Sequence, residues 1–192
     1  MILTLSRAFI ITQAGLIMTA AASTSNNTLG TLPNFTDIIH KIGPNLTSLI
    51  DAEIDLAMQE VERVEAIGDD RTWSNTVEPL EAAQTRLSNF MSPISHLNAV
   101  ANSDTLRQIY DQAIIQLTEM YDHIGQSQTL YKAYVEIQQH AKHHALSPAQ
   151  IRVLELAIRD FKLSGVNLND QAKEKLKGIN KKLADTSFVL IE

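Results

Sequence analysis

The hydrophobic and polar positions from Pro44 onward follow the period of an α-helix. Between Pro44 and Gly68 the apolar residues recur every three or four positions, which predicts one long helix with a single buried face. The residues of this predicted face are Leu46, Leu49, Ile50, Ile54, Ala57, Met58, Val61 and Val64. Similar stripes recur along the rest of the chain, so the pattern predicts an all-α fold.

A polar stretch interrupts this pattern from Ser92 onward. Ser92 stands directly before Pro93, which predicts an N-cap and a short helix reaching about residue 100. Ser103 or Asp104 then predicts the start of a long helix. His96 and Asn98 lie between these two predicted helix starts, and we expect them to be buried hydrogen-bonding groups. A catalytic role is disfavoured because no partner base or nucleophile accompanies the histidine. We therefore interpret Ser92, His96, Asn98 and Asp104 as a structural polar corner between two helices.

Three further helices follow from local start and stop signals. One carries Leu130, Tyr134 and Ile137, and the next begins at "SPAQ", residues 147–150, where a serine, a proline and a glutamine form a capping box. Gly165 and Asn169 predict its end and the cap of the last helix. The apolar stripe of that helix, Leu176, Ile179 and Leu183, continues into "FVLIE", so we expect a helix cut before its natural end.

The residues before Pro44 do not show this periodicity. Residues 1–22 fit the outline of a secretory signal peptide, and a disordered or loosely helical extension explains them equally well. Residues 23–43 are interpreted as a polar leader. The predicted helical domain therefore covers residues 44–192.

Composition narrows the class of function. The net charge of −6 argues against a nucleic-acid-binding face, and the apolar run near the N-terminus is too short and too polar to predict a membrane span. The chain has no cysteine, which excludes disulfides, thiolate nucleophiles and cysteine-based zinc sites.

The spacing of the histidines provides no catalytic motif. The zinc-protease pattern H-E-x-x-H is absent, and no glutamate stands three residues before a histidine, as a di-iron bundle requires. The remaining metal candidates, His140, His143 and His144 near Glu136, lie close to a predicted helix end. Histidines there commonly contact free carbonyls, so we favour that interpretation over a metal site. No residue is predicted to be catalytic or to bind a cofactor.

Several long segments, in the same order, resemble the N-terminal part of bacterial oligopeptidase A. They are "RTWSNTVEPLEA", "MSPISHLNAVANSDTLRQIYDQA", "GQSQTLYKAY" and "LAIRDFKLSGVNL", and the similarity extends from about Leu32 to Phe188. Oligopeptidase A belongs with thimet oligopeptidase and neurolysin among the zinc metallo-oligopeptidases.

The resemblance implies a multi-helix antiparallel N-terminal domain of a zincin-type oligopeptidase. In such enzymes this portion forms one wall of a deep channel that admits short peptides, and a later portion carries zinc on H-E-x-x-H. None of those catalytic residues has a counterpart here, so the resemblance implies no cofactor in this chain, zinc in the family, and a catalytic domain that is missing. It also implies a cytoplasmic protein, with export as the alternative if residues 1–22 are a cleaved signal.

Two hypotheses of function follow. The first is an N-terminal fragment of an oligopeptidase A-like zinc peptidase, inactive alone, whose partners are short peptides and the missing C-terminal catalytic portion. The second is a stand-alone helical interaction protein that binds peptides or a partner chain. An exposed apolar face would favour self-association in either case.

Overall fold

The computed structural model describes residues 35–141 and 145–189, and within these ranges it is helical without any strand. The predicted all-α fold is confirmed. No helix in this described part is long and apolar enough to cross a membrane. The elements in chain order are α1 Phe35–Lys41, α2 Pro44–Glu65, a π-helical turn Trp73–Val77, α3 Glu78–Val100, α4 Asp104–Gly125, α5 Gln128–Gln139, α6 Pro148–Leu163 and α7 Asp170–Val189.

The predicted helix starts are confirmed at several side-chain caps. Ser103 Oγ accepts a hydrogen bond from the backbone N–H of Leu106 at 3.2 Å. Ser147 and Gln150 form the reciprocal capping box at the start of α6, with distances of 2.8 and 3.3 Å. Asn169 Oδ1 accepts from the N–H of the third residue of α7 at 2.9 Å. These caps satisfy backbone donors that a helix start otherwise leaves unpaired.

The long helix α2 runs past two clusters of buried side chains. Its N-terminal half packs with α3 and α4, where the centre of the cluster is formed by Leu46, Ile50, Leu87, Ile94 and Leu106. Its C-terminal end packs with the π-helical turn, α5 and α6 around Val64, Val77, Leu130, Ile137 and Leu154. The predicted face of α2 is thus mostly buried, but Leu49 is 39% exposed and was wrongly assigned to it.

Arg71 binds backbone carbonyls at the C-terminal end of α2, close to the second cluster. Arg71 donates from its guanidinium to the carbonyl oxygens of Val64 and Glu65 at the end of α2 and of Ile67 just beyond it. A helix end exposes carbonyls that lack intrahelical partners, and a cation there complements both their lone pairs and the helix dipole. Arg71 therefore fixes the direction in which the chain leaves α2.

The first and last helices of the described part differ from the sequence-based expectation. Residues 35–41, assigned above to a leader, form the short helix α1, which places Phe35 and Ile38 against the first cluster. In α7 the predicted stripe is incomplete, because Ile179 is 46% exposed. The residues of the predicted signal segment, and those after Val189, lie outside the described part of the chain.

Candidate functional site

Only part of the predicted polar corner lies at a junction between helices. The prediction of a helix start at Ser92 is wrong, because α3 continues through Ser92 and Pro93 to Val100. The apolar spacing of Met91, Ile94 and Leu97 continues across the proline, and all three side chains are buried. The burial of this face outweighs the roughly 3 kcal/mol that an internal proline costs a helix.

The other residues of that corner have different environments. His96 is exposed and stacks at a tilt on Phe35, with 5.5 Å between the ring centroids, so its predicted burial is wrong. Asn98 Oδ1 is buried and has no hydrogen-bond partner within the described residues. Asp104 is the first residue of α4, directly after the Ser103 cap. These residues form the helix junction and do not assemble a reactive group.

The histidines predicted as weak metal candidates are covered only in part. His140 lies at the end of α5, where its Nδ1 is 3.0 Å from the carbonyl oxygen of Glu136, which also accepts the backbone N–H of His140. His143 and His144 lie outside the described residues. Across residues 35–141 and 145–189 no group of three or more histidine or carboxylate side chains is placed to hold a metal ion.

A cleft lies between α2 and α4. Its volume is about 520 Å³, and we call it the acidic groove. Three carboxylates line it, Asp51 and Asp55 from α2 and Glu119 from α4, and Gln116 Nε2 donates to Asp51 Oδ1 at 2.9 Å. The apolar side chains Ile54, Met58 and Met120 also line it.

A second cavity adjoins the acidic groove at His123, which lines both. Its volume is about 200 Å³, and we call it the lysine pocket because Lys173 and Lys177 of α7 form one side. Glu65 also lines the pocket and accepts a hydrogen bond from Ser127 Oγ. His123 Nε2 lies 3.9 Å from the same carboxylate. The two cavities share the His123 side chain, and each is lined by at least one carboxylate.

Gln126 is the unusual residue of the lysine pocket. Its side chain is 7% exposed, and neither the amide nitrogen nor the amide oxygen has a hydrogen-bond partner among the described residues. Its backbone carbonyl is satisfied, because Lys173 Nζ donates to it at 3.1 Å. A buried carboxamide without partners costs free energy, so its presence beside a cavity needs an explanation.

Polar contacts join α7 to α4. Asn180 Nδ2 donates to Asp122 Oδ1 at 2.6 Å, and Lys181 Nζ lies 3.6 Å from Glu119 Oε1. Partial burial raises the pKa of the Asp122 carboxyl above its ordinary value, and the hydrogen bond from Asn180 offsets part of that rise. The helix that supplies the two lysines is therefore positioned through α4.

Comparison with known proteins identifies the family. The family described as "Neurolysin/Thimet oligopeptidase, N-terminal domain" matches residues 46–173, which is more than half of the chain. The chain belongs to this family. The resemblance seen in the sequence is thereby confirmed, and the helices α2 to α6 correspond to the family's N-terminal domain.

Individual relatives agree with this assignment. Oligopeptidase A of Escherichia coli strain K12 is 34% identical over 155 residues, covering 80% of this chain and 22% of the relative. Oligopeptidase A of Salmonella typhimurium is 37% identical over 125 residues, covering 65% and 18%. A probable cytosolic oligopeptidase A of Arabidopsis thaliana is 28% identical over 153 residues, covering 80% and 21%. The chain spans about a fifth of the length of these relatives.

Sequence reasoning did not find the groove or the pocket. Their residues come from α2, α4, the α4–α5 junction and α7, and the charged ones occupy ordinary polar positions of their own helices. The only local signal is Gln126, a long polar residue between Gly125 and the Ser127 cap. Nothing in a linear pattern says that its carboxamide is buried.

Proposed function

We propose that this chain is the helical N-terminal part of an oligopeptidase A-type zinc peptidase that cleaves short peptides. In this proposal it forms one wall of the substrate channel and is inactive until a catalytic portion completes it. Membership of the oligopeptidase N-terminal domain family is the observation that carries the proposal. The absence of H-E-x-x-H from the sequence supports inactivity of the chain alone.

Zinc enters the proposal only through the catalytic portion. The three clustered histidines or carboxylates that zinc needs do not occur in the described residues, and His140 is engaged with a backbone carbonyl. We therefore derive no chemical step for residues of this chain. Its part is to shape and limit the space in which a peptide lies.

The test is a chimera of E. coli oligopeptidase A that carries residues 46–173 of this chain in place of the matching segment. We expect the chimera to hydrolyse short peptides in a zinc-dependent manner, whereas the isolated chain with added zinc does not. A chimera with a flexible linker in place of the segment is the control and should be inactive. An inactive but folded chimera would contradict the proposed wall. Hydrolysis by the isolated chain that a chelator abolishes would contradict its inactivity.

We also propose a cytoplasmic location. It rests on the family resemblance and on the Arabidopsis relative, whose name includes "cytosolic". Fractionation of bacteria that express the chain with a C-terminal tag should recover the tagged protein at full length from the cytoplasm. Recovery of a shortened form from the periplasm would favour the exported alternative.

A second candidate function is self-association of a stand-alone interaction protein. Leu49 and Leu56 are 39% and 44% exposed and stand seven residues apart, which places them on one side of α2. If a second copy binds there, light scattering should detect a dimer that Leu49→Gln and Leu56→Gln together convert to a monomer. A monomer for the unaltered chain at high concentration would remove this candidate.

A further inference from the structure

We infer that the chain binds a second copy of itself through two unlike helix faces, an acidic face on α2 and a basic face on α7. The acidic face of one copy lies against the basic face of the other. This pairing rests on the second candidate function, self-association, and deepens it by naming the two surfaces that meet.

The acidic face is the solvent side of α2. Its apolar centre consists of Leu49 and Leu56, which are 39% and 44% exposed and stand two helical turns apart. Carboxylates border these leucines on both sides, because the helical period places acidic residues next to them in each direction. The four bordering residues are Glu53, Asp55, Glu60 and Glu62.

Half of these carboxylates lack a cationic partner. Glu53 and Glu60 pair with arginines of the same chain. Asp55 and Glu62 are exposed, and neither forms an ion pair with another residue of the described ranges. The face therefore combines exposed apolar surface with negative charge that nothing in the described fold neutralises.

The basic face is the exposed side of α7. Lys175, Ile179 and Lys182 are all exposed, with Ile179 at 46%, and their spacing of four and three residues places them on one side of the helix. Asn180, which donates to Asp122 of α4, is half-buried and lies on a different side. The attachment of α7 to α4 therefore leaves the basic face uncovered.

A leucine of the preceding turn adds apolar surface to this basic face. Leu168 is 41% exposed, and it lies beside Leu176 of α7, because both side chains come within 2.7 and 2.9 Å of the position that a Cβ on Gly165 would occupy. Leu176 precedes Ile179 by less than one helical turn. Both faces thus carry exposed apolar side chains among charges of a single sign.

The charges of the two faces match in spacing as well as in sign. Asp55 and Glu62 are seven residues apart, and so are Lys175 and Lys182, which places each pair about 10.5 Å apart along its helix. Two helices that pack at a small angle can therefore bring both carboxylates opposite both ammonium groups. Two acidic faces, or two basic faces, would instead bring like charges together, which costs binding energy.

The test reverses the charge of each face and measures association by sedimentation velocity. The α2 variant carries Asp55→Lys and Glu62→Lys, and the α7 variant carries Lys175→Glu and Lys182→Glu. We expect the unaltered chain to associate with rising concentration at about 0.15 M salt, which screens the repulsion between copies of net charge −6. Each variant alone should associate at least about tenfold more weakly, because attractive pairs become repulsive.

Mixing the two variants identifies the faces that meet. One variant then carries two basic faces and the other two acidic faces, so an equal mixture should form a mixed complex, detected with one variant fluorescently labelled. A chain with all four reversals should associate by itself as the unaltered chain does. Recovery in both cases also shows that the variants are folded. A mixture without a mixed complex overturns the inference.

Two matched variants control for net charge. Asp69→Lys with Asp70→Lys changes the charge as the α2 variant does, at exposed positions after the end of α2. Arg107→Glu with Lys132→Glu matches the α7 variant at exposed positions of α4 and α5. Both controls should associate as the unaltered chain does. Equal weakening in variants and controls overturns the inference.

Ile179→Gln tests the apolar part of the contact. It should weaken association by about tenfold, the order expected for loss of about half of an isoleucine side chain from an interface. Val153→Gln is the control, because Val153 is 36% exposed on α6, outside both faces. Equal effects of the two substitutions overturn the inference.

The outcomes also separate this pairing from the functions proposed above. An α7 variant that associates as strongly as the unaltered chain overturns the pairing and leaves self-association through α2 alone standing. An unaltered chain that stays monomeric up to about 1 mM overturns both. The proposed channel wall is unaffected by either result, because the chimera tests it independently.

Discussion

Helices α6 and α7 show that two similar amphipathic patterns lead to different kinds of attachment. Both begin at a side-chain cap and both were predicted from a stripe of apolar residues. In α6 the stripe is buried, with Leu154, Ile158 and Phe161 at most 7% exposed. None of the described side chains of α7 belongs to the buried core, and Ile179 is 46% exposed.

Most of the contacts identified for α7 are polar, and the half-buried Leu176 also packs beside Gly165. Asn180 binds Asp122, Lys173 binds the carbonyl of Gln126, and Lys181 lies near Glu119. Such contacts at a partly exposed surface contribute little net free energy, because water competes for the same groups. The comparison teaches that apolar periodicity predicts a helix, whereas the strength of its attachment depends on what the stripe meets.

The largest expected difference is between matched leucines of the two helices. Leu154→Ala, at a fully buried position in α6, should lower the free energy of unfolding by about 2 to 5 kcal/mol. Leu176→Ala, at a half-buried position in α7, should lower it by less than about 1 kcal/mol. Urea unfolding followed by circular dichroism measures both values. Equal losses would show that α7 belongs to the same packed core.

A second difference concerns two cations that bind backbone carbonyls. Arg71 donates to three carbonyls at and just after the end of α2, so Arg71→Ala should cost about 1.5 to 3 kcal/mol of global stability. Lys173 of α7 donates to one carbonyl, that of Gln126 directly after α4, and Lys173→Ala should cost less than about 1 kcal/mol. The same urea transitions report both. A larger loss for Lys173→Ala would reverse the comparison.

The N-terminal caps of α6 and α7 offer a third test. Ser147→Ala removes half of the capping box of α6 and should lower global stability by about 1 kcal/mol. Asn169→Ala removes the cap of α7 and should increase amide exchange within α7 while the urea midpoint barely moves. A shift of the midpoint by the same amount in both variants would contradict a separately attached α7.

The smallest expected effect depends on pH. The folded-state pKa of Asp122 is raised above 3.8, chiefly by burial, so the stability it contributes is present below pH 3.8 and is lost as the pH rises through the raised value. Asp122→Asn removes the cost of burying a charged carboxylate and keeps an oxygen that can accept a hydrogen bond from Asn180. At pH 7 the variant should therefore be more stable by at most about 1 kcal/mol. Thermal melts should show this advantage shrinking toward pH 4, and an advantage that grows on acidification would contradict the sign.

Much of the helical framework could be predicted from local sequence. The caps at Ser103, Ser147 and Asn169 and the left-handed Gly165 appear where their chemistry predicts them. The break at Pro93 was wrongly predicted, because a local start signal was given more weight than the unbroken apolar spacing around it. The burial of the whole helix face in the folded protein decides such conflicts, and local sequence signals do not reveal that burial.

The candidate site was less accessible to sequence reasoning. Asp51, Glu119, Gln126 and Lys177 come from different elements and meet only after α2, α4 and α7 have packed. Hydrophobic periodicity gives the buried face of each helix but not the neighbour that this face selects. The family resemblance, in contrast, was visible directly, because several long segments matched in order.

Native-state hydrogen exchange tests most directly whether α2 to α6 fold as one unit to which α7 is attached by polar contacts. We predict that the amides in the middle of α6, around Leu154, open only with global unfolding. Amides in the middle of α7, around Leu176, should open at a free energy lower by at least about 2 kcal/mol. Equal opening free energies in the two helices would contradict this organisation of the domain.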